Sequence, residues 1–310
     1  MRGVEQTRDV AAPSPHRIPL ESSLLLVFVN MLWAGSSLMG KNALTVLGPS
    51  TLAFLRFGPS ALLLFLVARA RGEVFRVERR DWGGFLVLGG LGIAVTYGVY
   101  YNGLAETTAT ESTLLMASEP ILIALAARIM LGEQLRRIQV LGLGIGFLGV
   151  YLIIAQGVVF QLSTGVMANL LVLVALACEC VASVVGKGLT GRYSWLVVLT
   201  VEFALGSAIL LPHAAWEVLR HPPGPLAWTI WANVAYVGLL CSFYCYAVWY
   251  RMLPRYPISA MAGFLFIQPM MGPVLAYIFR DERMAPWTVA GAILVVVGVW
   301  LVAVLRTRDA

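Results

Sequence analysis

Four ionisable residues lie inside long apolar stretches: Arg56, Glu119, Glu179 and Glu202. Such groups cost about 2.5–3.5 kcal/mol at mid-helix on insertion scales, so each needs a partner or a purpose. Glu119 precedes Pro120, and a proline removes a helix hydrogen bond, leaving carbonyls that can face a cavity. A carboxylate with free carbonyls suits an ammonium group or a proton. The structural alternative is a bond from Glu119 to a neighbouring helix, or a pair with Arg56. Gln268 stands in the same position before Pro269 and can orient a polar group.

Aromatic residues form the second signal. Tyr97, Tyr100 and Tyr101 lie together, as do Tyr246, Trp249 and Tyr250, while Trp33 is followed by Ser36 and Ser37. Trp33 can stack on a cationic or aromatic ligand, or simply pack. The ring clusters can serve as gates or as an interfacial belt, the belt suiting Tyr101 and Tyr250 at helix ends. The candidate substrate-binding set is therefore Trp33, Ser37, Tyr97, Glu119, Glu179, Tyr246 and Gln268. The candidate gating or hinge set is Tyr101, Pro120, Tyr250 and Pro269.

Other chemistry finds no support. No Ser/His/Asp or Cys/His constellation is visible, and His16, His213 and His221 form no metal set, the last two flanking a Pro-rich loop. Gly144-x-Gly146-x-x-Gly149 fits a dinucleotide fingerprint but lacks a preceding strand, so close helix packing explains it better. Cys178, Cys180, Cys241 and Cys245 read as small buried hydrophobes. Glu133 and Glu282 read as caps at helix junctions. Neither an enzyme nor a cofactor is expected.

These residues must be positioned by membrane-spanning helices. Of 310 residues, 59% are hydrophobic and 12% charged, and the mean hydropathy is +0.82. A soluble chain of this composition could not cover its surface with polar groups. Apolar runs fall at about 20–40, 50–69, 82–103, 108–131, 137–156, 166–187, 194–212, 226–250, 257–279 and 285–305. An all-α membrane protein of ten transmembrane helices follows. Sixteen of the 22 Lys and Arg residues lie in the tails and even-numbered loops, and four lie in the odd-numbered ones. That bias places both termini in the cytoplasm and makes nucleic acid a poor partner for the net charge of +6.

The ten spans repeat. At an offset of 149, Gly89, Tyr97, Tyr101, Pro120, Glu133, Gly142 and Gly149 match Gly238, Tyr246, Tyr250, Pro269, Glu282, Gly291 and Gly298. At an offset of 146, Ser37, Gly40 and Lys41 match Ser183, Gly186 and Lys187, and Arg56 matches Glu202. Five spans per copy is odd, so the copies are inverted, the architecture of many secondary transporters. The expected divisions are a tail at 1–19, repeats at 20–156 and 157–305, and a tail at 306–310.

The motifs also carry a resemblance. Trp33-Ala34-Gly35-Ser36-Ser37 running to Lys41, Leu55-Arg56-Phe57, Glu119-Pro120 with Leu131-Gly132-Glu133, and Pro269 through Glu282 resemble the drug/metabolite transporter superfamily, in its ten-helix EamA branch. The resemblance covers roughly residues 20–305. Two positions depart from it: Arg280-Asp281-Glu282, where the family usually has Gly before Glu, and Glu179, which matches Trp33. It implies a small-metabolite carrier, often an exporter, with a central cavity between the halves.

The expectation is an exporter of small organic metabolites in the plasma (inner) membrane, with amino acids, aromatic ones included, as the leading substrate. Lipophilic or quaternary organic cations are the alternative. Phosphorylated substrates are disfavoured because Lys41, Lys187 and Arg280 sit near span ends. Protons are a candidate coupling ion through Glu119 or Glu179, with facilitated diffusion equally compatible. A monomer or weak dimer in the lipid bilayer is expected. An intramembrane enzyme and a channel are the rival classes.

Overall fold

The computed structural model describes residues 18–107, 112, 115–155, 166–271 and 286–303. They form ten helical segments: α1 (Leu20–Ala43), α2 (Pro49–Ala70), α3 (Arg79–Glu106), α4 (Glu119–Leu131), α5 (Arg137–Ala155), α6 (Val166–Thr190), α7 (Trp195–Arg220), α8 (Trp228–Met252), α9 (Ile258–Met271) and α10 (Pro286–Ala303). Among the described residues, six of these, α1, α2, α3, α6, α7 and α8, are long and apolar enough to cross a bilayer. Of the other four, α5, α9 and α10 adjoin residues outside the description. Leu24, Phe28, Leu62, Phe65 and Ile209 are exposed, as lipid-facing side chains on such helices must be.

Several helices differ from the runs read in the sequence. Helix α7 continues through Pro212 to Arg220, so His213 lies on the helix and contacts Ser50 Oγ at 2.6 Å instead of flanking a loop. Helix α1 is two pieces, Leu20–Ala34 and Ser36–Ala43, joined at Gly35. The join is close-packed: a methyl on Gly35 would lie 2.5 Å from the Tyr236 hydroxyl oxygen. Pro120 does not kink a continuous span; it opens α4, whose N-cap is Ser118. The α9 segment is likewise interrupted by a 3₁₀ turn at Gly263–Phe266, shortly before Gln268 and Pro269. Both repeats thus lose regular α-geometry just before the matched proline.

The two copies also share less common features. Helix α3 is π-helical over Val87–Val95 and α8 over Tyr236–Cys245, and these starting points differ by the repeat offset of 149. Lys41 donates to the carbonyls of Leu104 (3.2 Å) and Thr107, tying α1 to the end of α3. Its counterpart Lys187 donates to the carbonyls of Leu253 and Tyr256 (2.6 Å), tying α6 to the end of α8. In each case an ammonium group meets carbonyls at a helix C-terminus, where the dipole favours a cation.

The inversion is written into the packing of α5 on α10. A methyl on Gly142 would lie 2.9 Å from the Gly298 carbonyl oxygen, and one on Gly149 would lie 2.6 Å from that of Gly291. Since Gly142 corresponds to Gly291 and Gly149 to Gly298, each contact is the image of the other. This reciprocity marks a twofold axis between the helices. Only glycine lets two backbones approach so closely.

Carboxylates close the helix ends. Glu133, after α4, accepts from Ile258 N (3.1 Å), Ser259 N (3.3 Å) and Ser259 Oγ (2.6 Å), capping α9. Glu217 does the same for α2 through Ser50 N (3.1 Å), Thr51 N (2.8 Å) and Thr51 Oγ1 (2.8 Å). The cap expected at Glu282 lies outside the described residues. At the start of α3, Asp81 takes hydrogen bonds from Arg192 and Tyr193, and the bond to that carboxylate pushes the half-buried Tyr193 hydroxyl above its ordinary pKa.

Candidate functional site

The axis that relates α5 to α10 also runs through the middle of the molecule. Phe57 and Phe203, matched at offset 146, touch edge to face with centroids 4.9 Å apart. Tyr97 and Tyr246, matched at offset 149, place their hydroxyls 2.5 Å apart. Glu179 Oε1 accepts from both, at 2.7 Å from Tyr246 and 3.2 Å from Tyr97. A single carboxylate therefore breaks the symmetry of a paired tyrosine, and it stands where the first repeat carries Trp33.

A cavity opens against this knot, with ≈ 870 Å³ of space between the atoms, including open solvent. Its wall gathers Trp33, Ser37, Tyr97, Glu119, Glu179, Tyr246 and Gln268, the whole candidate binding set, from five different helices and the start of α4. A smaller recess alongside adds Pro269 to Trp33, Glu119 and Gln268.

Each side chain is held by its neighbours. Trp33 donates from Nε1 to the Cys241 carbonyl at 2.9 Å, inside the π-helical stretch of α8, and packs against Tyr246 (5.3 Å) and Trp249 (5.8 Å). Ser37 Oγ meets the Tyr100 hydroxyl at 3.0 Å. Gln268 Nε2 donates to Asn30 Oδ1 at 3.0 Å, and Asn30 in turn donates to the Leu26 carbonyl at 2.8 Å. Asn30 is fully buried and orients Gln268, a role its position in the sequence did not reveal. Glu119 is buried in the first turn of α4, and its carboxylate takes no hydrogen bond from any described residue. It does not pair with Arg56.

Of the gating candidates, Tyr250 also lines the cavity and Pro269 the recess beside it. Tyr101 is fully buried and its hydroxyl accepts from Arg56 Nη1 at 3.0 Å. Tyr250 is also buried, beside Glu202. Neither belongs to a lipid-facing belt. Pro120 opens α4, and Pro269 follows the 3₁₀ turn of α9.

Arg56, Glu202 and Tyr100 are among the further groups on the cavity wall that lie outside the candidate sets. Phosphorylated substrates were disfavoured because Lys41, Lys187 and Arg280 sit near span ends, yet Arg56 puts a cation on the cavity wall. Its charge in an apolar run was the available signal. Cys180, Cys241 and Cys245 are buried, and Cys241 and Cys245 approach the Leu32 and Val29 carbonyls at 3.7 Å. Among the described residues no cluster of three or more His, Cys, Asp or Glu could hold a metal ion.

Comparison with known proteins agrees with this architecture. Residues 21–155 and 166–304 each match the model of the EamA-like transporter family. An uncharacterized transporter of Archaeoglobus fulgidus is 29% identical over 91% of this chain and 96% of its own length. A probable terminal-alkyne amino-acid exporter of Streptantibioticus cattleyicolor is 27% identical over 89% of this chain and 91% of its own. One protein of known crystal structure has the same fold, with a TM-score of 0.76 and 19% identity over 93% of this chain and 99% of that one. The chain therefore belongs to the EamA-like transporter family of the drug/metabolite transporter superfamily, a multi-pass membrane protein built from two inverted five-helix repeats that carries small metabolites and is not an enzyme.

Proposed function

We propose that this transporter exports amino acids with apolar, including aromatic, side chains by alternating access. The observation that carries the reading is the Glu119 carboxylate, which lines the central cavity without a hydrogen-bond donor among the described residues and lies among Trp33, Ser37 and Gln268. A buried carboxylate lacking donors is costly unless something else supplies them. A substrate ammonium group does so, while Trp33, Tyr246 and Trp249 offer surface to an apolar side chain. The amino-acid exporter among the relatives is in keeping with this choice. Glu119, Gln268 and Ser37 would bind the polar end; Trp33, Tyr97 and Tyr246 would contact the rest, with Glu179 holding the two tyrosines.

Alternating access follows from the symmetry. If the repeats exchange conformations about the axis through Tyr97 and Tyr246, the cavity opens to the opposite side. Tyr101 and Tyr250, one turn from that pair, would act as the matching gates, and the breaks before Pro120 and Pro269 as hinges. The charge bias supports an orientation with both termini cytoplasmic, and the plasma membrane is the location we assign. Glu119 and Glu179 are the groups through which a proton could be coupled.

The rival substrate is a quaternary organic cation, for which the Trp33, Tyr246 and Trp249 rings would form a cage. Purified protein in liposomes distinguishes the two. The proposal expects saturable flux of radiolabelled phenylalanine that excess choline does not inhibit. Saturable choline flux without phenylalanine flux would replace the substrate assignment, and a chemically altered product would defeat the carrier reading.

A further inference from the structure

Arg56 is a buried cation whose protein partners are all neutral. Its Nε donates to Ser242 Oγ at 2.7 Å, and its Nη1 donates to Ser36 Oγ at 3.2 Å and to the Tyr101 hydroxyl at 3.0 Å. The Tyr97 and Phe57 rings face the guanidinium at 4.6 and 5.1 Å. Although Glu119, Glu179 and Glu202 line the same cavity, Arg56 forms no ion pair among the described residues. Only 3% of the residue's surface is exposed, so its charge is largely removed from water.

The donors are unevenly used. Nε and both hydrogens of Nη1 are taken, whereas Nη2 makes no hydrogen bond with any described residue. Among the described residues, the side-chain polar atoms that are both occluded and unpartnered are Ser112 Oγ, Glu202 Oε2 and Ser207 Oγ. Nη2 is not one of these, and Arg56 lines the cavity wall, so Nη2 is the guanidinium nitrogen left to meet a ligand there. A charge removed from water is stable when a complementary one meets it, and a guanidinium amino group with two free hydrogens suits a carboxylate oxygen. The repeat strengthens the polarity, because the matched position carries Glu202, the opposite sign. A cavity built from two related halves thereby acquires unlike ends.

We propose that Arg56 binds the carboxylate of the transported amino acid through Nη2, while its other nitrogens hold the side chain against α1, α3 and α8. The proposal rests on the amino-acid reading above and adds the group that recognises the acid end. Three neighbouring carboxylates disfavour a dianion, so a monocarboxylate fits the site better than a phosphate. The three bonds to Ser36, Tyr101 and Ser242 fix the guanidinium before a ligand arrives, which reduces the ordering needed on binding.

The test is a binding series on purified full-length protein, by scintillation proximity or calorimetry. The probes are phenylalanine, phenylalaninamide, phenylethylamine and inorganic phosphate. Wild type is expected to bind phenylalanine at least about 10-fold tighter than either carboxyl-free probe, the range of a charge-assisted hydrogen bond, and to ignore phosphate. Arg56→Gln should remove that preference while leaving phenylethylamine binding unchanged, and Arg56→Lys should restore part of it.

Equal affinity of wild type for phenylalanine and phenylethylamine overturns the proposal without touching the ammonium site at Glu119. Equal loss of every probe in folded Arg56→Gln overturns it in favour of a structural role. Phosphate competition replaces the carboxylate with another anion. If wild type binds none of the organic probes, the amino-acid reading itself has failed. The wild-type series stands alone should Arg56→Gln not fold.

Discussion

At the residue scale, the chemistry turns on how each buried polar group is satisfied. Glu179 is supplied by two tyrosines, whereas Glu119 has no donor among the described residues. Replacing Tyr97 by Phe removes one bond to Glu179, so a loss of about 1 kcal/mol in stability is expected in a detergent melt. Glu119→Gln should leave stability nearly unchanged and weaken substrate binding about 10-fold or more, through loss of a charge-assisted bond. A large drop in melting temperature for Glu119→Gln, with unchanged binding, would assign that residue to the scaffold.

The binding candidates were legible because a charge or polar group in an apolar run is a local signal. Asn30 was not, since it acts through Gln268 from 238 positions away. Arg56 carried the same local signal as Glu119, but its neutral partners Ser36, Tyr101 and Ser242 come together only in the fold.

At the element scale, helix ends and close contacts govern stability. Glu133→Ala and Glu217→Ala each remove a carboxylate cap, and each should cost about 1 kcal/mol by analogy with other N-caps. Thermal unfolding of the single variants and of the double variant measures this, with near-additive losses expected because the caps serve different helices. Glycine substitutions separate contact from propensity. Gly142→Ala places a methyl against the Gly298 carbonyl, whereas the site at Gly144 is open to at least 4 Å. Gly142→Ala should destabilise by about 1–3 kcal/mol, as overpacking does, while Gly144→Ala should be neutral or stabilising.

Spans were easy to read from hydropathy; their interruptions were not. The π-helical stretches at Val87–Val95 and Tyr236–Cys245 look like ordinary apolar sequence. Pro120 was read as lying within one span at 108–131, but a proline is equally suited to the first turn of a new helix, which is where it stands. Helix α7 passed Pro212 where the sequence suggested an end, since its last turns are held by Glu217 against α2.

At the scale of the whole molecule, the repeat determines the design. The matches between Tyr97 and Tyr246, and between Gly142 and Gly291, established correspondence in the sequence. They did not reveal that the two tyrosines touch, or that Gly142 meets the partner of Gly149. Those contacts arise because both copies fold around one axis. The proposed orientation, with both termini cytoplasmic, predicts that a C-terminal fusion to green fluorescent protein is bright and one to alkaline phosphatase inactive. The opposite pattern would reverse the assigned orientation. The unlike pair Arg56 and Glu202 gives a nearly symmetric cavity a polar direction, which a zwitterion can use in either orientation of the repeats.

The most direct test of the central claim is counterflow in liposomes carrying the purified protein. Vesicles loaded with unlabelled phenylalanine should take up external radiolabelled phenylalanine faster than empty ones, with saturation, and Glu119→Gln should reduce this exchange at least about 10-fold at limiting substrate. Linear uptake that internal substrate does not accelerate, or exchange indifferent to Glu119, would contradict a central alternating-access site at this cavity.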